Sequence, residues 1–264
     1  MNKTIVLFDM DGTLTKPRKK FERFLLPTLS KLASITEIGI VSGSDYDYIR
    51  EQMALVIEKS EVRYKMHLLP CNGTKHYTPP KNLGCSYNLI HETNMKSKIG
   101  KDDYNKLIRT LFNRQSRFSH RLPCFSGNFI DYRGSMVNWC PIGRSATLSE
   151  RTTFVDWDTS FTPTYREDER GWLLRDFKSN ELSLDIKCGG DTSFDIYPIG
   201  WDKTYSLKHF PGYDVWFVGD KCSDGGNDKE LYELLYTNGR SFATTGPDIT
   251  QKIIQEKIIP HFIK

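Results

Sequence analysis

The sequence predicts an α/β protein whose parallel-sheet core is split by an inserted α+β cap domain. Near the N-terminus, two short apolar runs alternate with two amphipathic segments, and strands that alternate with helices are typical of parallel sheets. Further along, the pattern changes to alternating strands and one long amphipathic segment, and a strand, turn and helix return near the C-terminus. We therefore predict a core formed by residues 1–81 and 189–264 and a cap formed by residues 82–188.

Four patterned segments predict the first half of the core. Residues 4–8 form an apolar, β-rich run that stops abruptly at a polar residue, as a buried central strand does. Apolar residues at helical spacing predict a helix over residues 21–32, although Pro27 would kink that helix or delay its start. Residues 37–41 are predicted as the second strand and residues 45–59 as the second helix.

The cap and the second half of the core are predicted from the same kinds of pattern. An amphipathic repeat predicts a helix over residues 102–115. Alternating or apolar runs predict strands over residues 129–140, 182–187, 191–197 and 215–218. Three isoleucines at helical spacing indicate a C-terminal helix: Ile249, Ile253 and Ile254.

Composition excludes several classes of protein. The 264 residues are 38% hydrophobic and 27% charged, which excludes general disorder, and the net charge of +4 is too small for a nucleic-acid binder. No apolar run approaches the roughly 20 residues that span a bilayer, and the N-terminus lacks the order of a signal peptide. The cysteines are scattered, as free thiols in a reducing compartment are. We therefore expect a cytoplasmic protein without a membrane or nucleic-acid partner.

Two acidic residues, Asp9 and Asp11, follow the first predicted strand. Because parallel sheets bind ligands beyond the carboxyl ends of their strands, both carboxylates can face one cleft. Asp9 is suited to attack phosphorus and become an aspartyl phosphate, and Asp11 is suited to protonate the leaving oxygen. Anionic groups that approach a phosphate need a cation, and Mg²⁺ prefers carboxylate and phosphate oxygens.

More acidic residues follow the last predicted strand. Asp220 is predicted as the third metal ligand beside Asp9 and Asp11, and Asp228 either completes that site or holds Lys203. The Gly-Gly-Asn-Asp segment that ends at Asp228 is also a common kind of turn. Lys203 would neutralise phosphoryl oxygens near Asp9, although a lone lysine also suits a surface role.

The Ser42-Gly43-Ser44 segment ends the second predicted strand and precedes the second predicted helix. Hydroxyl groups and backbone N–H groups at a helix N-terminus bind phosphate well. All three residues are therefore predicted to contact the substrate. Capping of the helix by Ser44 is the alternative explanation, and it is compatible with phosphate binding.

Six segments of the chain together form a family pattern. They are Asp9-Met-Asp-Gly-Thr-Leu-Thr-Lys-Pro-Arg18, Val41-Ser-Gly-Ser-Asp45, Pro141-Ile-Gly-Arg-Ser145, Ser193-Phe-Asp195, Gly200-Trp-Asp-Lys203, and Gly219-Asp-Lys221 with Gly-Gly-Asn-Asp228. In this order they resemble the haloacid dehalogenase (HAD) superfamily and, more specifically, the eukaryotic phosphomannomutase family. The resemblance runs from the first strand to the last helix and implies a HAD-like, Rossmannoid core with an inserted cap.

The resemblance implies an activity. Members of the family convert mannose 6-phosphate to mannose 1-phosphate, the step before GDP-mannose synthesis, with Mg²⁺ and a hexose 1,6-bisphosphate primer. They are typically homodimers formed through the cap. The implied catalytic residues are Asp9 as nucleophile and Asp11 as acid/base. The implied substrate ligands are Arg18, Arg133, Arg144, Arg151, Ser193 and Asp195.

The local charge of the cap agrees with this implication. Residues 105–151 contain one lysine and seven arginines against two acidic residues, a local charge of +6. Guanidinium groups suit a phosphate that stays on the sugar while another is transferred, whereas a solvated basic face is the alternative for any single arginine. Ser193 and Asp195 lie two apart on a predicted strand, so their side chains share one face and can bond sugar hydroxyls.

The sequence departs from the family at a second cation site. Tyr232 and Thr237 stand at its outer positions, but Leu234 occupies the acidic position, so a cation is expected there weakly or not at all.

Two alternative functions stay open: a sugar-phosphate phosphatase, in which water takes the phosphoryl group, and a non-catalytic sugar-phosphate-binding homologue. The residues leave open the choice between mannose and glucose phosphates.

Overall fold

The computed structural model describes residues 3–118 and 121–263. It divides the chain into two compact units, a core formed by Met1–Glu92 with Trp201–Lys264 and a cap formed by Thr93–Gly200. The strands are β1 (Thr4–Phe8), β2 (Glu37–Val41), β3 (Met66–Leu69), β4 (Lys75–Thr78), β5 (Asn88–Glu92), β6 (Ile130–Tyr132), β7 (Val137–Trp139), β8 (Leu184–Gly189), β9 (Ser193–Pro198), β10 (Asp214–Gly219) and β11 (Ser241–Ala243).

Helices account for most of the remaining regular structure. They are α1 (Leu26–Ala33), α2 (Tyr46–Ile57), α3 (Met95–Ile99), α4 (Lys101–Phe118), α5 (Leu148–Thr159), α6 (Tyr165–Ser179), α7 (Lys229–Tyr236), α8 (Pro247–Ile253) and α9 (Ile259–Phe262), with short 3₁₀ turns and one π-helical turn between some of them. None of the helices in the described residues has both the length and the apolar character needed to cross a membrane.

The core is a seven-stranded sheet in the order β11-β10-β1-β2-β3-β4-β5. The first five strands in that order are parallel, whereas β4 and β5 form an antiparallel edge. β1 lies near the middle, and its side chains alternate between two apolar layers: Val6 and Phe8 pack on one face of the sheet, and Ile5 and Leu7 pack on the other. The predicted α/β class, with its mostly parallel core sheet, is confirmed.

The predicted first half of the core agrees closely with the observed elements. β1 and β2 have the predicted bounds. α1 begins only at Leu26, so Pro27 lies in its first turn, where the missing N–H costs nothing. α2 begins after Asp45, whose side chain accepts a hydrogen bond from the backbone N–H of Tyr48. Asp45, and not Ser44, is therefore the N-cap.

The cap contains a four-stranded antiparallel sheet in the order β6-β7-β9-β8, together with helices α3 to α6. The segment predicted as one strand over residues 129–140 is instead the hairpin of β6 and β7. Gly134, with φ of +86°, lies in its turn, and the backbone N–H of Arg133 donates to the carbonyl of Met136. A left-handed backbone at this glycine reverses the chain, which alternation alone does not reveal.

Both boundaries between the core and the cap lie later in the chain than predicted. β5 pairs with β4 and so extends the core to Glu92. β9 pairs with β7 and β8, so it belongs to the cap sheet, although residues 189–264 were assigned to the core. Strand pairing, which is a long-range property, therefore places the boundaries after residues 92 and 200 and not after residues 81 and 188.

Candidate active site

The carboxyl ends of β1 and β10 carry two of the predicted acidic residues. β1 and β10 are parallel neighbours, with Phe8 opposite Val218, and the backbone N–H of Asp9 donates to the carbonyl of Val218 at 2.9 Å. Asp220 follows β10 directly. The sheet register thus places both residues at one edge, as predicted from the two apolar runs.

Asp228 joins these two residues from the segment that precedes α7. Among the described residues, Asp9, Asp220 and Asp228 each offer a carboxylate oxygen, and these oxygens lie within 4.8 Å of one another. Asp228 is fully buried, and its Oδ2 accepts a hydrogen bond from the backbone N–H of Lys221 at 2.9 Å. The glycine-rich segment is therefore more than a surface turn.

Lys203 lies inside this acidic group. Its fully buried ammonium donates hydrogen bonds to Oδ1 of Asp9 and Oδ1 of Asp228. Burial alone lowers the pKa of Lys203, but the carboxylates of Asp228 and Asp9 raise that pKa above its usual value. Lys203 therefore stays charged and holds Asp228, as one of the two alternatives predicted. It also lies beside Asp9, and its role toward phosphoryl oxygens stays a prediction.

The acidic group carries more negative charge than Lys203 neutralises. Burial raises the pKa of Asp9, and the neighbouring carboxylates raise it further against the opposing effect of Lys203. Burial and the charge of Asp228 raise the pKa of Asp220 to about 6. Such shifts are typical of carboxylates that are buried beside other carboxylates.

The donor set fits a divalent cation. Oδ2 of Asp9 is buried and has no hydrogen-bond partner within the described part of the chain, which is costly for a carboxylate oxygen. Gly12 has φ of +88°, and a Cβ there would lie 2.2 Å from Oδ2 of Asp220. The glycine lets Asp220 come close to the loop that follows Asp9. Hard carboxylate oxygens in such a group are the ligands that Mg²⁺ prefers.

Asp11 does not belong to this acidic group, although its side chain was predicted as a metal ligand. Its Oδ1 accepts hydrogen bonds from the backbone N–H of Arg18 at 2.9 Å and from the hydroxyl of Tyr48 at 3.2 Å. These two donors fix the orientation of the carboxylate, and its predicted roles as metal ligand and as acid/base stay predictions. Burial raises its pKa, against the opposing effect of the two hydrogen bonds.

The loop after β2 adds backbone and hydroxyl groups at the same sheet edge. β2 is the other parallel neighbour of β1, with Phe8 opposite Ile40. Ser42 and Gly43 are buried, and Oγ of Ser42 accepts a hydrogen bond from the backbone N–H of Ser44 at 3.1 Å. The loop that was predicted to bind phosphate is therefore ordered by its own side chain before α2 begins.

Arg18, whose side chain was predicted to bind the substrate, contacts Asp11 through its backbone. Its φ is +58°, which is uncommon for a residue other than glycine, and its backbone N–H bonds Asp11. Its side chain is exposed. The local strain coincides with the contact to Asp11, and strained residues cluster at functional sites.

In the cap, two of the predicted arginines meet at one acidic residue. Nε of Arg133 and Nε of Arg144 lie 3.2 Å and 3.4 Å from Oδ2 of Asp131. Arg133 also lies 3.5 Å from the carboxylate of Asp195. The structure therefore joins three predicted residues into one polar cluster.

Asn138 on β7 links this cluster to β9. Its Nδ2 donates to Oγ of Ser193 at 3.0 Å and to Oδ1 of Asp195 at 2.7 Å, and its Oδ1 accepts from Arg144 at 2.9 Å. Phe194, between the two β9 residues, is fully buried and stacks on Trp139. Ser193 and Asp195 thus share one face of the strand, as the spacing predicts.

Arg151 lies in α5, whereas Arg144 precedes that helix. The two therefore do not share a helical face. Instead, Arg151 donates hydrogen bonds to the carbonyl of Arg144 at 2.6 Å, the carbonyl of Ala146 at 3.0 Å and Oγ1 of Thr192 at 2.6 Å. These contacts fix the loop that carries Arg144.

The residues of the expected second cation site lie on and after α7. The backbone carbonyl of Tyr232 accepts a hydrogen bond from the hydroxyl of Ser241 at 2.7 Å. The side chain of Leu234 is exposed, and Thr237 follows the helix as its C-cap. Their ligand role stays a prediction.

Four contributing residues were not predicted: Tyr48, Asp131, Asn138 and Thr192. Each lies on or beside a predicted element, but none belongs to a local motif. Tyr48 contacts Asp11 across 37 positions of the chain, and Asn138 contacts Asp195 across 57. A polar residue among the buried apolar ones of β7 is the signal that Asn138 offers.

Comparisons with known proteins agree with these observations. The family model described as eukaryotic phosphomannomutase matches residues 25–260. The phosphomannomutase of Dendrobium officinale is 36% identical over 247 residues, which cover 93% of this chain and 90% of that protein. Phosphomannomutase 1 of Dictyostelium discoideum is 33% identical over 261 residues, which cover 96% of each chain.

Solved structures show a similar fold at low sequence identity. The N-terminally truncated, IMP-bound IMP-nucleotidase of Plasmodium falciparum has a TM-score of 0.61 at 12% identity and covers 98% of this chain and 68% of its own. A trehalose-6-phosphate phosphatase related protein has a TM-score of 0.53 at 14% identity and covers 98% of each chain. The predicted HAD-like fold is thereby confirmed.

Proposed function

This chain belongs to the eukaryotic phosphomannomutase family, and we propose that it interconverts mannose 6-phosphate and mannose 1-phosphate through an aspartyl phosphate on Asp9. The observation that carries the proposal is the group formed by the buried Asp9, Lys203 and Asp228 and the half-buried Asp220. A buried carboxylate beside an ammonium and two further carboxylates is suited to accept a phosphoryl group in the presence of a cation.

The first step loads the enzyme. The Asp9 carboxylate attacks one phosphorus atom of a hexose 1,6-bisphosphate, and the bond from that phosphorus to the sugar oxygen breaks. The leaving oxygen keeps the electron pair and takes a proton from Asp11. Lys203 neutralises charge beside Asp9 as the transition state develops.

The second step transfers the group to the substrate. The C1 hydroxyl of mannose 6-phosphate attacks the aspartyl phosphate while Asp11 takes its proton, which gives mannose 1,6-bisphosphate and frees Asp9. The bisphosphate then returns its C6 phosphoryl group to Asp9 and leaves as mannose 1-phosphate. Each cycle therefore ends with phosphorylated Asp9 and no net consumption of the primer.

Asp9, Asp220 and Asp228 would hold Mg²⁺, whose charge offsets the repulsion between the carboxylates and the phosphoryl oxygens. The Ser42-Gly43-Ser44 loop and Arg18 would bind the phosphate that reacts. In the cap, Arg133, Arg144 and Arg151 would bind the phosphate that stays on the sugar, and Ser193 and Asp195 would bind sugar hydroxyls. The hydrogen bonds of the three arginines within the cap support phosphate binding, because they fix the orientation of the guanidinium groups.

Three further statements are predictions from the sequence and the family. The chain forms a homodimer through the cap, it works in the cytoplasm, and its product supplies GDP-mannose synthesis. Sedimentation of the purified protein as a monomer would remove the first of these.

Phosphorus NMR tests the proposed function. The purified protein is mixed with Mg²⁺, mannose 1-phosphate and a catalytic amount of hexose 1,6-bisphosphate, and the experiment is repeated with glucose 1-phosphate. We expect the 6-phosphate to appear without inorganic phosphate. Accumulation of inorganic phosphate would make the protein a sugar-phosphate phosphatase, and no change with either sugar would favour a non-catalytic binding role.

A further inference from the structure

Tyr48 contacts the carboxylate that is assigned to proton transfer. Its hydroxyl lies 3.2 Å from Oδ1 of Asp11, and the backbone N–H of Arg18 lies 2.9 Å from the same oxygen. Within residues 3–118 and 121–263, these are the two hydrogen bonds that the Asp11 carboxylate accepts, and Oδ2 accepts none. The two oxygens of Asp11 therefore have different environments.

The position of Tyr48 is set by the start of α2. Its backbone N–H donates to the side chain of Asp45 at 3.0 Å, which fixes the first turn of the helix. Its ring is half-buried and packs against the main apolar cluster of the core. The hydroxyl therefore reaches Asp11 from a backbone that is anchored by a helix cap and by packing.

Tyr48 acts as a donor in this contact. Burial raises the pKa of its hydroxyl above the usual value for tyrosine, and the neighbouring charge of Asp11 raises it further. The phenol is therefore protonated at neutral pH, and a carboxylate oxygen can only accept from it. Hydrogen bonds to charged groups are stronger than those between neutral groups.

We propose that Tyr48 is a positioning residue for Asp11, because it fixes Oδ1 and thereby leaves Oδ2 as the oxygen that exchanges the proton. When a sugar oxygen leaves phosphorus, it keeps the electron pair of the broken bond and takes the proton from Oδ2. In the reverse direction, Oδ2 takes the proton of the attacking hydroxyl. The inference rests on the proposed function, since it requires Asp11 to act as the acid and base.

The test compares two phosphoryl donors that differ in their need for a proton. A hexose 1,6-bisphosphate must release a sugar alkoxide, which needs protonation, whereas acetyl phosphate releases acetate, which does not. Formation of phosphorylated Asp9 is followed in single turnovers for the wild type and for Tyr48→Phe. This substitution removes the hydroxyl and keeps the ring that packs on the core.

Tyr46→Phe is the matched control. It removes a hydroxyl from the same helical turn, and the ring of Tyr46 stacks on Tyr77 with a centroid distance of 4.3 Å. We expect Tyr48→Phe to slow phosphorylation by the bisphosphate roughly tenfold and to leave phosphorylation by acetyl phosphate unchanged. We expect Tyr46→Phe to match the wild type with both donors.

Three results would overturn the inference. Equal loss with both donors would mean that Tyr48 acts on Asp9, on phosphate binding or on the structure, and not on proton transfer. No loss with the bisphosphate would mean that Arg18 alone positions Asp11. If the wild type formed no aspartyl phosphate with either donor, the proposed function would fall and the inference with it, which separates the two failures.

Discussion

The buried ammonium of Lys203 donates a hydrogen bond to Asp9, although the two residues are 194 positions apart in the chain. The same ammonium bonds Asp228. One lysine thus connects the loop after β1 with the segment before α7, and the acidic group depends on it for charge and for geometry.

Replacement of Lys203 by methionine is expected to lower the free energy of unfolding by about 3–5 kcal/mol, because it leaves buried carboxylates unpaired. Urea denaturation measures the change. Lys208→Met is the control, since Lys208 lies in the same 3₁₀ helix (Lys203–His209) but is exposed. Equal stability of the two variants would show that Lys203 does not hold the site together.

Replacement of Gly12 by alanine is expected to disturb Asp220, because the new Cβ would lie 2.2 Å from its Oδ2. We expect the stabilisation of the protein by Mg²⁺, measured as the rise of Tm on addition of the ion, to be lost. Gly84→Ala separates this effect from backbone strain. Gly84 has φ of +85° and nothing within 4 Å of the new Cβ, so this control costs about 1–2 kcal/mol of stability and keeps the Mg²⁺ response. A full Mg²⁺ response in Gly12→Ala would argue against a metal site at Asp220.

Replacement of Asn138 by alanine is expected to raise the KM for hexose phosphates roughly tenfold, because a lost hydrogen bond of a charged group is worth about 1.5–3 kcal/mol. The substitution leaves Arg144 and Asp195 without the amide that joins them. Phosphorylation of Asp9 by acetyl phosphate should not change. Asn113→Ala, at an exposed position of α4, serves as the control. An unchanged KM would remove the polar cluster of the cap from substrate binding.

The stability of the protein is expected to fall as the pH drops below about 6.5, because four histidines cluster in the core. Nδ1 of His67 lies 2.9 Å from Nε2 of His76, whose ring contacts that of His209, which in turn contacts His91. Burial, followed by the neighbouring histidines, lowers the pKa of His76 to about 3. The folded state keeps this ring neutral, whereas the unfolded chain takes up a proton near pH 6.5.

The direction of the change in stability with pH follows from proton uptake by the unfolded chain. A group with a lowered folded-state pKa favours folding above its unfolded pKa, and that contribution disappears as the pH falls towards the folded value. His76 alone should lower the free energy of unfolding by about 1.4 kcal/mol for each pH unit below about 6.5. Urea denaturation at pH 7.5 and 5.5 measures the loss, which His76→Gln should reduce and the exposed control His261→Gln should not. An identical loss in all three proteins would contradict the assignment.

Short apolar runs that end at a polar residue are the parts of the fold that the sequence predicts most closely. β1 and β2 agree residue by residue with the prediction, because each is buried on both faces and stops where the site begins. β5 was not predicted, since its side chains are mostly exposed and polar at the edge of the sheet. α6 was also not predicted, because its charged residues hide an apolar face, although Thr164 and Glu167 form a capping box that marks its start.

The residues of the site also divide into those that the sequence predicts and those that it does not. Asp9 and Asp220 follow parallel neighbouring strands directly, so their meeting could be predicted from the order of the strands. Asp228 was predicted to join them from the glycine-rich segment before α7. The contacts of Tyr48 and Asn138 depend on side-chain directions and strand pairing that no local pattern encodes. The contacts of Asp11 could not be predicted for the same reason, because its side chain is held by partners that the sequence does not place next to it. Its role as a metal ligand stays a prediction.

The most direct test of the account is to identify the residue that carries the phosphoryl group. The protein is incubated with Mg²⁺ and a hexose 1,6-bisphosphate and treated with borohydride, which reduces an aspartyl phosphate to homoserine, and the peptides are analysed by mass spectrometry. We predict homoserine at position 9 in the wild type and none in Asp9→Asn. Homoserine at another aspartate, or turnover of mannose 1-phosphate by Asp9→Asn at the wild-type rate, would contradict the proposed mechanism.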